Sequence, residues 1–269
     1  MIIRNENDIL SEVLNEHLKY CDHIFILDGT DENPELSKSI CTGCKNTTYY
    51  TDNDLPSNYP RPIRDGCRQF LLDKIRNKFG FNNWIAILHG DELFVDDPRA
   101  IIKKYDRYFE ALTLDTLLYF IHKEQLPFKL DPSRSFQEQI YWYVGPGWPE
   151  ARLFKNKKNS NYKDISQLGK VIPEGLNINY KTTFKIKHYT FRNPEQQSNR
   201  AKDRVITNKW STLHYSAALN QKYYLNENDF GKRFYYWISK KPVKPRINDP
   251  LLLRLMQDLS ENFSKKRIR

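Results

Sequence analysis

An α/β fold built around parallel strands is predicted for this chain, and two observations predict it. Apolar runs of strand type at residues 23–27 and 84–88 alternate with amphipathic helical stretches at 8–20 and 61–79, which is the pattern of βαβ units. Both runs stop at acidic turns, Asp28-Gly29-Thr30-Asp31 and His89-Gly90-Asp91-Glu92. In parallel sheets ligands bind outside the carboxyl ends of the strands, so function is to be sought at these turns.

The elements follow in order. Residues 1–4 form a short β-like run, and residues 8–20 a helix carrying Ile9, Leu10, Val13, Leu14 and Leu18 at helical spacing. Residues 23–27 (His-Ile-Phe-Ile-Leu) read as a buried strand. Residues 61–79 read as a helix with Phe70, Leu71, Leu72 and Ile75 inward, and residues 84–88 as a second buried strand. Residues 112–122 fit a strand or a buried helix, and 138–144 are strand-like. Gly145-Pro146-Gly147-Trp148-Pro149 is a loop whose glycines allow close backbone approach. Residues 183–189 read as a strand, and beyond Asn193-Pro194 the pattern turns helical to the end. There is no internal repeat and no Gly-rich phosphate loop of either the Walker or the dinucleotide type.

Composition narrows the class. At 269 residues the chain suits one large domain, or a core with a small appendage. Aromatic residues make up 14%, far too many for a disordered chain. The longest apolar runs fall well short of the roughly 20 residues a spanning helix requires. Met1-Ile2-Ile3 is followed at once by Arg4, Asn5 and Glu6, unlike a secretory leader. A soluble, cytoplasmic protein is expected. Cys41 and Cys44 form a lone CxxC, with Cys21 and Cys67 at no zinc-site spacing, so four free thiols are expected.

The net charge of +10 is uneven: residues 231–269 carry +8, leaving +2 for the first 230. Within that segment Leu252, Leu255, Met256, Leu259 and Phe263 recur at helical spacing after Asp249-Pro250. Three readings stand: a terminal helix packing its apolar stripe on the body, peripheral attachment to an acidic bilayer, or a dimer contact. Nucleic acid is not an expected partner, because the body is nearly neutral. The oligomeric state stays open.

Clustered carboxylates repel one another unless a cation is present, and hard oxygen ligands suit Mg²⁺ or Mn²⁺. Six segments in order carry a family likeness. They are Ile3-Arg4-Asn5-Glu6; His23-Ile-Phe-Ile-Leu-Asp28-Gly-Thr-Asp31; Arg68-Gln69 leading to Trp84-Ile-Ala-Ile-Leu-His89-Gly-Asp91-Glu92; Trp148-Pro149-Glu150-Ala-Arg152-Leu153-Phe154-Lys155; Val171-Ile-Pro-Glu174; and His188-Tyr-Thr-Phe-Arg192 with Lys202. Together they resemble the family-2-type GT-A glycosyltransferases, in the branch of the lipopolysaccharide-core glucosyltransferases and their small relatives. The matching family segments are D-x-S/T-D, W-[apolar]-D-A-D-E, W-Y-P-D…R-L-F-R, V-H-E and H-Y-S/T-Y-R-S…K. The resemblance covers residues 1–205, with two departures: His89 stands at the family's first metal-site aspartate, and Pro173 at the histidine of its H-E pair.

The resemblance implies a GT-A (Rossmann-like), mostly parallel central sheet with helices on both faces, as a domain at 1–192. A C-terminal helical extension with the basic tail follows at 193–269. It implies an enzyme, an inverting and metal-dependent transferase of a sugar from a nucleotide-sugar donor, a UDP-sugar, to a hydroxyl acceptor such as a glycan or lipid-linked precursor. Asp91, His188 and His89 are the implied ligands of Mn²⁺ or Mg²⁺. Asp28, Asp31 and Arg68 would hold the nucleoside, Arg192 and Lys202 the diphosphate. Glu174, then Glu150, would be the catalytic base, and Trp148 and Arg152 would meet the acceptor. The substitution at His89 keeps a second class in view, a non-catalytic nucleotide- or sugar-binding module. A protein led by its basic tail, binding membrane or nucleic acid, is the third.

Overall fold

The structure is a computed structural model that describes residues 1–61, 63, 65–145, 149–163, 172–176, 179–192 and 237–266. It divides into two compact units. One comprises Met1–Asp115, Pro149–Ile186 and Lys244–Arg269, the other Thr116–Trp148 and Lys187–Val243.

The first unit opens as expected. Strand β1 (Ile2–Ile3) leads to helix α1 (Leu10–Leu18), which buries Leu10, Val13, Leu14 and His17 on one face. Strand β2 (Ile24–Asp28) is buried at all five positions. Helix α2 (Pro34–Gly43) and strand β3 (Thr47–Thr51) complete a three-stranded parallel sheet in the order β1-β2-β3. Neither of these last two elements carries a clear apolar period in the sequence. Helix α2 starts where Asn33, in the left-handed region at φ 54°, accepts a bond from the Leu36 amide, with Pro34 in the first turn. Its buried face is thin, Ser37 and Cys41, which is why apolar periodicity did not reveal it. The CxxC ends this helix rather than opening it, and all four cysteines are free thiols.

Helix α3 (Arg68–Phe79) buries Arg68, Phe70, Leu71 and Leu72 and stops at Gly80, whose φ of 69° suits glycine. Strand β4 (Trp84–Ala86) follows, then β5 (Glu92–Phe94) and helix α4 (Pro98–Tyr105), capped by Asp97. Strand β6 (Ala111–Phe120) settles the open reading of residues 112–122 as a strand. In this unit β4 pairs antiparallel with β8 (Pro149–Lys155), and β8 antiparallel with the first half of β6. Strand β5 pairs with β9 (Asn179–Phe191). The expected mostly parallel sheet is therefore corrected: β1-β2-β3 form a parallel sheet of their own, and the β4-β8-β6 pairings of the other sheet are antiparallel. The antiparallel part follows from chain reversals such as β6 to β8, which need no helical crossover.

In the second unit the end of β6, β7 (Trp142–Gly145) and β10 (Trp237–Ser239) pair antiparallel. Residues 138–139, the start of the expected strand 138–144, belong instead to a short helix α5 (Phe136–Gln139). Ser135 caps it, accepting from the Gln137 amide at 3.2 Å. Strand β10 likewise interrupts the expected helical run. The core here is aromatic: Tyr189 lies between Tyr119 and Phe136, with ring centroids at 4.5 and 4.7 Å.

The last helix, α6 (Leu251–Lys266), begins after Asp249-Pro250 as the sequence predicts. Its apolar stripe is only partly covered: Leu255 is half-buried. Leu252, Met256 and Leu259 are exposed, and Arg254 is buried.

Candidate active site

Three turns meet at the carboxyl edge of the parallel sheet. Ile3 is in register with Asp28, and Ile2 forms a parallel bridge with His89, so β1 lies between the two acidic turns. The Arg4-Asn5-Glu6 turn ties them together. Asn5, at φ 58°, accepts from the amides of Asp31 and Glu32, each at 3.0 Å, and its own amide donates to Thr30 Oγ1 at 3.1 Å. Arg4 Nη2 lies 2.6 Å from Asp31 Oδ2, at an exposed ion pair worth little to stability.

Asp28 is buried and fully engaged. It accepts from the Thr30 amide (2.7 Å), Ser37 Oγ (2.5 Å) and Tyr49 OH (2.8 Å). These bonds fix the strand end and the start of α2, so Asp28 shapes the turn whatever else it binds. Desolvation and the bond to Asp28 push the Tyr49 phenol well above its ordinary value, which keeps it a donor.

The second turn carries His89, Asp91 and Glu92. Asp91 and Glu92 are buried, at 1% and 0% exposure. Glu92 Oε2 accepts from the His89 amide at 3.1 Å, and His89 Nδ1 lies 3.6 Å from Glu92 Oε1. Arg68, buried at the start of α3, places Nη2 3.3 Å from His89 Nε2; a guanidinium only donates, so Nε2 accepts. Gly90 allows this packing: a Cβ there would come within 2.9 Å of both Glu6 Oε2 and Ile3 Cγ2. From behind, His17 Nε2 bonds the Glu92 carbonyl at 2.7 Å, and burial lowers that imidazole to about 4, so it is held neutral.

Arg152 lies beneath this turn, 2.5 Å from both Glu92 Oε1 and Glu150 Oε2. It is 1% exposed and therefore a buried partner of carboxylates in this geometry. Glu174 sits on a short antiparallel bridge to Asn161, its Oε2 3.0 Å from Lys163 Nζ. Arg76 holds that loop to α3 through bonds to Asn156, Asn161, Lys157 and Ser160. His188 is half-buried on β9. Arg192 is buried and donates to the Tyr189 carbonyl at 2.9 Å. Trp148 and Lys202 lie outside the described residues.

Within the first unit, His89 and Glu92 bring an imidazole and a carboxylate together as donors of metal-binding type, and the expected ligand His188 belongs to the second unit. His89 was an expected ligand; Glu92 stands beside it, next to the expected Asp91. Two carboxylates at this edge, Glu6 and Glu92, went unassigned in the sequence. Both were visible inside quoted motifs, but nothing in spacing alone separates Glu92 from its neighbour Asp91.

A cavity of ≈ 750 Å³ opens at the amino ends of β2 and β4 and is lined by His23, Phe25, Trp84 and Arg99 among others. It lies at the opposite strand ends from the acidic turns, where α/β ligand sites do not normally form. No family model and no curated protein matches this chain.

Proposed function

We propose that this chain is a GT-A-type glycosyltransferase that moves a sugar from a nucleotide-diphosphate donor, a UDP-sugar, to a hydroxyl acceptor with inversion. The reading rests on the resemblance and on one observation above all. The His89-to-Glu92 turn and the Asp28 turn flank β1 at the carboxyl edge of a parallel sheet, and an imidazole–carboxylate donor set sits in the first of them.

The residues fit a divalent cation. Mixed nitrogen and oxygen donors suit Mn²⁺ better than Mg²⁺, which favours all-oxygen shells. His89 and Glu92 would hold it, and Asp91 adjoins them in sequence. When bound, the cation supplies charge to neutralise a departing diphosphate.

The remaining roles belong to the chain itself. Asp28 and Arg68 border the place a nucleoside would occupy. Arg192 and Lys202 are the cations proposed to hold the phosphates. Glu174 is the proposed base for the acceptor hydroxyl, bridged to Asn161, which Arg76 bonds, with Glu150 second. Glu150 pairs with the buried Arg152 and Glu174 with the exposed Lys163, so the order rests on the resemblance.

A thermal-shift screen against UDP, GDP, CMP and UDP-sugars, with and without Mn²⁺, tests the reading. A ligand that binds only the native state raises the melting temperature. A UDP shift that requires Mn²⁺ is expected. The absence of a shift with any nucleotide would overturn the proposal. Binding that survives Asp91→Ala and Glu92→Gln, with no turnover in the wild type, would favour a non-catalytic binding module.

A further inference from the structure

Helix α6 presents its apolar residues outward. Leu252, Met256 and Leu259 are 71%, 60% and 52% exposed, while Arg254 is 2% exposed. At 3.6 residues per turn the three apolar residues fall within about 60° of one another, and Arg254 falls on the opposite side. Leu251 and Leu253 are exposed as well.

The orientation is built in. Arg254 Nη1 donates to the Ile247 carbonyl at 3.2 Å, and its guanidinium lies 5.6 Å from the Phe184 ring centroid. The segment leading into the helix is clamped to the body. Asp96 Oδ1 accepts from the amides of Arg246 and, at 2.7 Å, Ile247, and Lys104 Nζ donates to the Ile247 carbonyl. An amphipathic helix held by the buried Arg254, with leucine and methionine facing water, presents an apolar face that none of the described residues covers.

Charge selects what covers it. Lys244 and Arg246 precede the helix in sequence, and Lys265, Lys266, Arg267 and Arg269 close it. A second copy would carry the same excess, on a chain of +10, and would be repelled. An anionic lipid surface satisfies both features, apolar insertion and basic flanks. No helix among the described residues is long and apolar enough to cross a membrane, so α6 would lie in the interface.

We propose that α6 docks this protein on an anionic bilayer, with Leu252, Met256 and Leu259 entering the headgroup boundary. This inference does not depend on glycosyl transfer.

The test is vesicle co-sedimentation of the full chain with phosphatidylcholine alone and with added phosphatidylglycerol, at low and high salt. Binding is expected only with phosphatidylglycerol, and weaker in salt. The double variant Leu252→Glu/Met256→Glu should bind at least tenfold more weakly with an unchanged melting temperature, since both side chains are exposed. Lys265→Gln and Lys266→Gln should each weaken binding by roughly fivefold. Equal binding to both vesicle types, no binding to either, or binding unaffected by the double variant would each overturn the proposal. A wild-type dimer in sedimentation velocity that the double variant dissociates, with no vesicle binding, would assign the face to a second copy instead.

Discussion

Arg152 reaches Glu92 across sixty positions of sequence, its Nη2 2.5 Å from the carboxylate, with the two side chains 2% and 0% exposed. The same guanidinium binds the half-buried Glu150. This pair joins β8 to β5 directly below His89. A buried ion pair is poor evidence of net stability, but breaking it from one side leaves an uncompensated charge. Arg152→Met should therefore cost about 3–5 kcal/mol in urea unfolding. The double variant Arg152→Met/Glu92→Leu should recover most of that loss, and a double-mutant cycle measures the coupling.

Asp28 should behave as a hub of the strand-end turn. Its replacement by alanine removes the acceptor of Ser37, Tyr49 and Thr30 at once. A loss of about 2–3 kcal/mol is expected from denaturant titration, with Asp28→Asn intermediate.

Asp96 gives a pH dependence of definite sign. Burial raises its carboxyl above the ordinary value, opposed by the amides of Arg246 and Ile247 that bond it. Because the folded value lies above the unfolded one, its contribution is fully present below the ordinary carboxylate range, about 4. It is lost as pH rises through the folded value. The stability of the wild type relative to Asp96→Asn should thus fall as pH is raised from about 4 to about 7, read by denaturation at each pH. Asp96→Ala, which strands two amides, should cost about 1–3 kcal/mol and loosen the lead-in to α6.

The thiols should separate by burial. Cys41 is fully buried, and desolvation pushes it up to about 12; Cys67 is also buried. Alkylation of the native protein at neutral pH, read by peptide mass spectrometry, should label the half-buried Cys21 and Cys44 first and spare Cys41 and Cys67 until the protein unfolds.

Much of the first unit was legible in the chain. The apolar runs that became β2 and β4, and the helical spacing of Leu10, Val13 and Leu14, announce their elements because burial repeats with the period of the backbone. Helix α2 and strand β3 escaped because their faces are only partly buried and carry little pattern. The placement of Asp28 and His89 at strand ends was legible too, since a turn must follow where an apolar run stops.

The sequence by itself thus determined the alternation of strands and helices, the two acidic strand ends, and a basic, amphipathic last helix. Only the tertiary structure decided that Glu92 sits beside His89 and over Arg152, that β1 separates the two acidic turns, and that α6 turns Arg254 inward and Leu252 out. The physical reason is common to all three. Local periodicity says that a face exists, whereas the partner of a charge or of a face is set by groups distant in sequence, through the desolvation and pairing that the fold imposes.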